Sequence, residues 1–453
     1  MANFAKPRAP RFAVEVYQNE FLPDGGRDVH AIVTVTASGG ASLARAAGPD
    51  AAVVVMVDCS GSMEYPPTKM RGAREATAAA VDTLRDGTSF AVVAGTHKAR
   101  DVYPGGGRLA VADPATRAAA KEALRRLSAG GGTAIGTWLR LAERLFAADG
   151  PGTGAAIRHA ILLTDGRNEH ESPEELAAAL AACAGRFTCD ARGVGTDWEV
   201  KEVTAIAEAL LGRADIVADP AGLAADFTGM MAAAMGKGVG DVALRLWTPL
   251  NAEVRFVKQV SPTVVDLTDR RTGAGPRAGD YPTGSWGDES RDYHVCVRVP
   301  AAGLGQEMLA ARVSLVVPGG PATVPGQGAT EGGVPAVLSQ GLVRAVWTDD
   351  LVASTAISPQ VAHYTGQAEL AQAIRQGLEA RKSGDFDSAT AKLGRAVQLA
   401  SASGNEDTAK LLAKVVDVVD AATGTVRLKA KVADADEMTL ETRSTQTVRV
   451  KKS

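Results

Sequence analysis

The sequence predicts an α/β fold: a doubly wound parallel sheet, inserted in a β-sandwich and followed by a helical hairpin. Three observations carry this. Residues 51–236 alternate apolar runs with amphipathic stretches of about ten to fifteen residues, the pattern of βαβ units. Two of those runs, AAVVVMV from Ala51 and AILLT from Ala160, are apolar throughout, as strands covered on both faces are. The flanks at 11–48 and 240–350 instead carry short alternating strands separated by Gly, Pro and Asp, the pattern of a sandwich.

In chain order, RFAVEVYQNEFL and VHAIVTVTA are strands with no partners of their own, so they are expected to join the later sandwich. Within 51–236, SFAVVAG, TCDARGVG and ADIVAD continue the strand rhythm of the two apolar runs. The helices between them are MRGAREATAAAVDTL, PATRAAAKEALRRL, AIGTWLRLAERLFA, SPEELAAALAACAG and EVKEVTAIAEALL. The fourth opens on Ser172, Pro173 and Glu175, a capping box with proline at the first helical position. The sandwich continues with DVALRLWTPL, AEVRFVKQV, TVVDLT, DYHVCVRVP and MLAARVSLVV, and the Gly/Pro-rich stretch from Val317 to Ala336 reads as a loop. Residues 360–424 turn helical, and Gly384, Phe386, Ala389, Leu393 and Ala396 resemble part of a tetratricopeptide unit. One such unit cannot bury its own face, so a docked helical hairpin is expected. Residues 425–453, charged and rich in threonine, are expected to form a flexible tail.

Composition narrows the function. Hydrophobic residues at 45% and charged residues at 22% are ordinary for a soluble globular chain. A formal net charge of −3 argues against a nucleic-acid binder. No apolar stretch approaches the roughly 20 residues of a membrane span, and the N-terminus has no apolar signal core. Cys59, Cys183, Cys189 and Cys296 include no C-x-x-C pair and are expected to be reduced, which fits a cytoplasmic address.

In a doubly wound sheet, ligands bind beyond the carboxyl ends of the strands. Asp58, Ser60 and Ser62 follow the first apolar strand, Thr133 lies in the glycine-rich SAGGGTAIG, and Asp165 ends AILLTD. These short side chains offer hard oxygens, which suit Mg²⁺ or Mn²⁺. The alternation D-x-S-x-S lets a chain leaving a strand aim every second side chain at one point. With few carboxylates among its ligands, such an ion retains affinity for an outside oxygen, most naturally a carboxylate from a partner protein.

The pieces VDCSGSM, GGTAIG and LLTDG, in this order and spacing, resemble the von Willebrand factor A domain with its metal-ion-dependent adhesion site. The resemblance covers about 185 residues, and the joint motif is specific although each piece alone is weak. It implies that Ser60, Ser62 and Thr133 coordinate a metal through their hydroxyls, while Asp58 and Asp165 act directly or through water. It further implies adhesion, with no catalysis. Two alternatives stand beside it: a subunit of a MoxR or chelatase-type ATPase complex, and a metal-dependent phosphatase using Asp58. The phosphatase pattern is D-x-D, and Ser60 stands where its second acid would be. G-x-S-x-G and G-K-[ST] patterns are missing, and the six histidines form no ligand pair at helical spacing. His170 reads as a solvated loop residue.

The C-terminal Thr442, Thr445 and Thr447 are candidate phosphorylation sites for a Ser/Thr kinase, flanked by Arg443, Arg449, Lys451 and Lys452. Thr445 with Val448 and Thr447 with Val450 resemble the phosphothreonine motif read by forkhead-associated domains, which would make such a protein a second partner.

Overall fold

The computed structural model describes residues 11–39, 51–150, 154–155, 157–318 and 336–450. Two compact units result. Of the described residues, one holds Gly39–Gly240 and Gly284–Asp288, and the other holds Arg11–Ser38, Asp241–Thr283 and the chain from Glu289 onward. Strands β1 (Arg11–Gln18), β2 (Phe21–Leu22) and β3 (Asp28–Ser38) belong to the second unit.

The first unit runs β4 (Ala51–Asp58), α1 (Thr68–Thr83), β5 (Ser89–Gly95), β6 (Arg100–Tyr103), β7 (Ala110–Val111), α2 (Pro114–Arg125), α3 (Ile135–Ala147), β8 (Ile157–Thr164), α4 (Pro173–Cys183), β9 (Thr188–Val194), α5 (Val200–Ala209), β10 (Ala214–Val217) and α6 (Leu223–Met235). Its sheet has the order β10-β9-β8-β4-β5-β6, parallel from β10 to β5, with antiparallel β6 and β7 both on β5. Helices cover both faces, which is why every residue of β4 is buried. Val53, Val55, Val57 and Cys59 share one face and pack with α1 and α6. Cys59 is therefore a core residue, and burial pushes its thiol up to about 12. The capping box at Ser172 and Glu175 forms reciprocally. Helix α6 has no counterpart among the expected helices. Its sequence LAADFTGMMAAAM is apolar nearly all round, so it lacks the one-sided stripe that marks a surface helix.

The second unit contains, for all or most of their length, strands β11 (Val239–Trp247), β12 (Glu253–Ser261), β13 (Val265–Asp266), β14 (Thr272–Gly273), β15 (Ala278–Trp286), β16 (Glu289–Arg298), β17 (Glu307–Val317) and β18 (Ala336–Trp347). Sheet β1-β3-β16-β12-β13 takes in the N-terminal strands, and the other sheet has the order β14-β15-β11-β17-β18-β2. The two sheets face each other where Gly341 of β18 meets Val14 and Val16 of β1. A Cβ at Gly341 would lie 2.6 Å from Val16 Cγ2. Strands β15 and β18 were not among the expected ones, because glycine and proline interrupt their apolar runs. The expected loop 317–336 falls mostly outside the described residues.

Beyond the sandwich lie α7 (Leu351–Thr355), α8 (Pro359–Lys382), α9 (Phe386–Ser403), α10 (Glu406–Val415), the hairpin β19 (Val416–Asp420) and β20 (Thr425–Leu428), and α11 (Asp434–Arg443). The expectation of a flexible tail from 425 is overturned. Val426 and Leu440 are buried in one core with Leu370, Ile374, Leu393 and Leu412, so the tail supplies the apolar faces that a lone hairpin would lack. The chain then returns to the sandwich. Thr263 and Gln446 form a bridge, and Val264 N–H donates to Thr445 O at 2.8 Å. Arg449 grips the buried Asp292 with both arms, Nε to Oδ2 at 2.9 Å and Nη2 to Oδ1 at 3.0 Å.

Beside Asp292 on β16, His294 is buried against His30 and Phe256. Burial, then the charges of His30 and Lys258, lowers its pKa to about 4. The fold holds it neutral, whereas the unfolded chain takes up a proton below about 6.5. Stability is therefore lost as pH falls from about 6.5 towards 4, by about 2 kcal/mol between pH 7 and pH 5. Urea midpoints at the two pH values check this, and His294→Gln is expected to flatten the dependence.

Candidate metal centre

The carboxyl ends of β4, β5 and β8 and the loops after them bring Asp58, Ser60, Ser62, Thr133 and Asp165 together. Asp58 is fully buried at the end of β4. Its Oδ1 accepts from the Ser60 backbone N–H at 2.8 Å, and its Oδ2 accepts from the Thr164 hydroxyl at 2.7 Å. The Ser60 and Ser62 hydroxyls are 2.8 Å apart, and Ser62 Oγ donates to Asp165 Oδ1 at 2.7 Å. Gly166 leaves room for the cluster. A Cβ there would lie 2.9 Å from Ser62 Oγ and 3.6 Å from Thr133 Oγ1, so both hydroxyls border one small volume.

Backbone hydrogen bonds between the loops fix these positions. Gly61 N–H donates to Gly131 O and Gly130 N–H to Cys59 O, each at 2.8 Å, which ties the D-x-S-x-S turn to the glycine-rich loop. Thr133 O accepts from His170 N–H at 2.9 Å, which ties that loop to the segment after Asp165. Helix α3 follows with Ala134 at its cap position, so Thr133 is not the side-chain cap that its position would allow. The Ile135 and Gly136 N–H groups donate instead to Asn168 Oδ1 at 2.8 Å and Glu171 Oε1 at 2.6 Å. Among the described residues, no hydrogen bond consumes the Thr133 hydroxyl. Gly95 completes the frame. A Cβ there would lie 2.3 Å from Trp138 Cδ2, so only glycine lets Trp138 reach Thr96 O with its indole N–H.

The electrostatics are those of a cation site. Burial raises the Asp58 pKa to about 6 against the hydrogen bonds from Ser60 and Thr164, and the charge of Asp165 pushes it further up. A fully buried Asp165 carboxylate lies close by, and its Oδ2 has no hydrogen bond of good geometry. Two crowded carboxylates and three hydroxyls form a hard-oxygen set that fits Mg²⁺ or Mn²⁺. Among the described residues no three His, Cys, Asp or Glu side chains cluster as a metal site, so here the Ser60, Ser62 and Thr133 hydroxyls would have to supplement the two carboxylates.

Two features were not read from the sequence. Thr164 positions Asp58, and Lys69 of α1 reaches the site with Nζ 2.7 Å from Asp165 Oδ2. Nothing in the spacing TKMRG marks Lys69 apart from a surface lysine. His170 is exposed, as expected, although its Nδ1 lies 3.3 Å from Thr133 N.

The phosphorylation sites on the tail are corrected. Thr442 is 4% exposed and donates to Met438 O at 2.7 Å, while Thr447 donates to Val260 O at 2.6 Å. Thr445 is half-buried, and its carbonyl is bonded to Val264. A kinase or a forkhead-associated domain needs an extended, accessible threonine, and these residues are built into the second unit. All four cysteines are free and buried. Among the described residues no helix is long and apolar enough to cross a membrane.

Comparison with known proteins agrees with this architecture. The von Willebrand factor type A domain model matches residues 51–216, and the von Willebrand factor type A C-terminal domain model matches 398–444. The solved von Willebrand factor type A protein of Catenulispora acidiphila is 54% identical, with 97% of this chain and 98% of that one covered and a TM-score of 0.88. The ArnB paralog VWA2 of Sulfolobus acidocaldarius shares the fold, with a TM-score of 0.58 over 96% of this chain and 98% of that one at 13% identity. An uncharacterized protein of Synechocystis sp. is 29% identical over 235 residues, 51% of this chain, and this chain spans about half of that protein's length, 53%. With its parallel sheet, its flanking antiparallel sheets and its C-terminal helices, the chain belongs to the von Willebrand factor type A family.

Proposed function

We propose that this protein is a metal-dependent protein-binding module, in which a Mg²⁺ or Mn²⁺ ion at the Asp58 site captures a carboxylate of a partner. Proteins of this family bind other proteins, and their domains often hold a metal at this motif. The observation that carries the reading is the convergence of Asp58, Ser60, Ser62, Thr133 and Asp165, three hydroxyls and two carboxylates, at one end of the sheet. Two carboxylates would balance the ion's charge only if both were direct ligands, and a partner carboxylate completes the shell where one acts through water. When bound, the ion supplies a Lewis-acidic position open to an outside oxygen. Ser60 and Ser62 hold the hydroxyl side of the site, and the buried Asp58 sets its depth.

We propose a non-enzymatic role. Asp58 has no exposed surface and both its oxygens accept hydrogen bonds, which disfavours a phosphoryl-accepting nucleophile. The four unpaired thiols support a reducing, cytoplasmic setting. Beside the site, Tyr65 is 82% exposed and offers an aromatic contact to a partner. Capture of a partner in Mg²⁺, loss in chelator and loss in Asp58→Ala are the expected results. Tyr65→Ala is expected to weaken capture about tenfold while leaving calorimetric Mg²⁺ binding unchanged. Capture unaffected by chelator would overturn the reading.

A further inference from the structure

Lys69 is buried within the first turn of α1, where a positive charge opposes the helix dipole. Lysine is rarely buried unless paired, and here three oxygens surround the ammonium. They are Asp165 Oδ2 at 2.7 Å, Asp197 Oδ2 at 3.1 Å and Ser62 O at 3.5 Å. Two of these residues belong to the candidate metal set. The third, Asp197, lies in the loop after β9, and its side chain is 68% exposed. The ammonium thus sits on the Asp165 oxygen that makes no regular hydrogen bond, while the other oxygen is engaged by Ser62.

We propose that Lys69 is a tethered cation that competes with the divalent ion for Asp165, and that Asp197 receives the ammonium when the ion binds. This rests on the metal-site reading above. The physical reason is charge. An ion held by Asp165 would share that carboxylate with an ammonium 2.7 Å from its Oδ2, and two cations cannot both hold it at full strength. The Lys69 stem is flexible, and Asp197 already lies within ion-pair distance, so a short swing keeps the ammonium paired. The consequence is a weakened resting affinity for metal and a preference for conditions in which a partner carboxylate adds to the binding.

Calorimetric titration of the full chain with Mn²⁺ tests this, using the wild type, Lys69→Met, Asp197→Asn and Asp58→Ala. Lys69→Met is expected to bind Mn²⁺ at least about tenfold more tightly, since removing one nearby charge is worth about a pK unit or more. Asp197→Asn is expected to bind about threefold more weakly, because the displaced ammonium loses its second partner and that pair is solvent-exposed. A general loosening of the site would move both variants the same way, and that result overturns the proposal. Equal affinity in wild type and Lys69→Met, with binding abolished in Asp58→Ala, also overturns it while leaving the metal site standing. If neither the wild type nor Lys69→Met binds Mn²⁺ better than Asp58→Ala, the metal reading fails and this inference fails with it. Should Lys69→Met not fold, Asp197→Asn decides alone, and an affinity equal to or above wild type rejects the competition.

Discussion

Asp58→Asn is expected to raise the unfolding midpoint in chelator and to erase the gain that Mg²⁺ gives the wild type. Without an ion, Asp58 is a fully buried carboxylate beside Asp165, and burial together with that neighbour raises its pKa to about 6. One pK unit corresponds to 1.36 kcal/mol, so the fold bears about 2–3 kcal/mol for keeping this group ionised at neutral pH. Asparagine keeps the shape and can still accept from Ser60 N–H, while the Thr164 hydroxyl can rotate to accept from the amide. The stabilisation expected in chelator is therefore about 1–3 kcal/mol. Excess ion reverses the ranking, because an ion bound only by the native state adds about 4.1 kcal/mol at about a thousand times its Kd. Thermal unfolding of both proteins with and without Mg²⁺ checks the crossing. A mutant that is less stable in chelator, or that keeps the Mg²⁺ response, contradicts it.

Arg449→Met is expected to lower the stability of the second unit by about 2–3 kcal/mol. Asp292 is 2% exposed and accepts from Thr34, Tyr364 and both arms of Arg449. Removing the guanidinium leaves a buried carboxylate with hydrogen bonds but no counter-charge, a loss normally of about 3–5 kcal/mol. Because the Arg449 side chain is 41% exposed, water screens part of the pair and the lower range applies. Asp292→Asn in the Arg449→Met background is expected to restore much of the loss, since it removes the unpaired charge. Arg298→Met, which breaks the exposed pair with Asp28, should leave the unfolding midpoint nearly unchanged. Urea unfolding of the wild type and these three variants separates these cases. Equal losses in Arg449→Met and Arg298→Met would mean that Asp292 is not held by its counter-charge.

The parallel sheet was legible because Ala51–Val57 of β4 and Ala160–Leu163 of β8 are unbroken apolar runs, and sequence order alone then sets helices on both faces. The candidate metal residues were legible for a related reason. Each leaves the carboxyl end of a parallel strand or the glycine-rich loop beside it, and one end of such a sheet is one place in space. Helix α6 was missed because an apolar, small-residue segment has no periodic contrast to read. Strands β15 and β18 were missed because Gly, Pro and polar residues interrupt their apolar runs.

The tail was misread for the same physical reason on a larger scale. Charge and threonine content describe a segment in isolation, whereas Leu440 and Arg449 are fixed by a core and a carboxylate contributed from elsewhere. Lys69 shows the same limit within the site, since only the approach of α1 to the end of β8 sets its ammonium on Asp165. The sequence by itself determined the sheet, its ligand-bearing edge and the family. The tertiary structure alone decided which charges meet, because local pattern fixes how a segment folds, whereas a charge finds its partner across contacts that no stretch of sequence records.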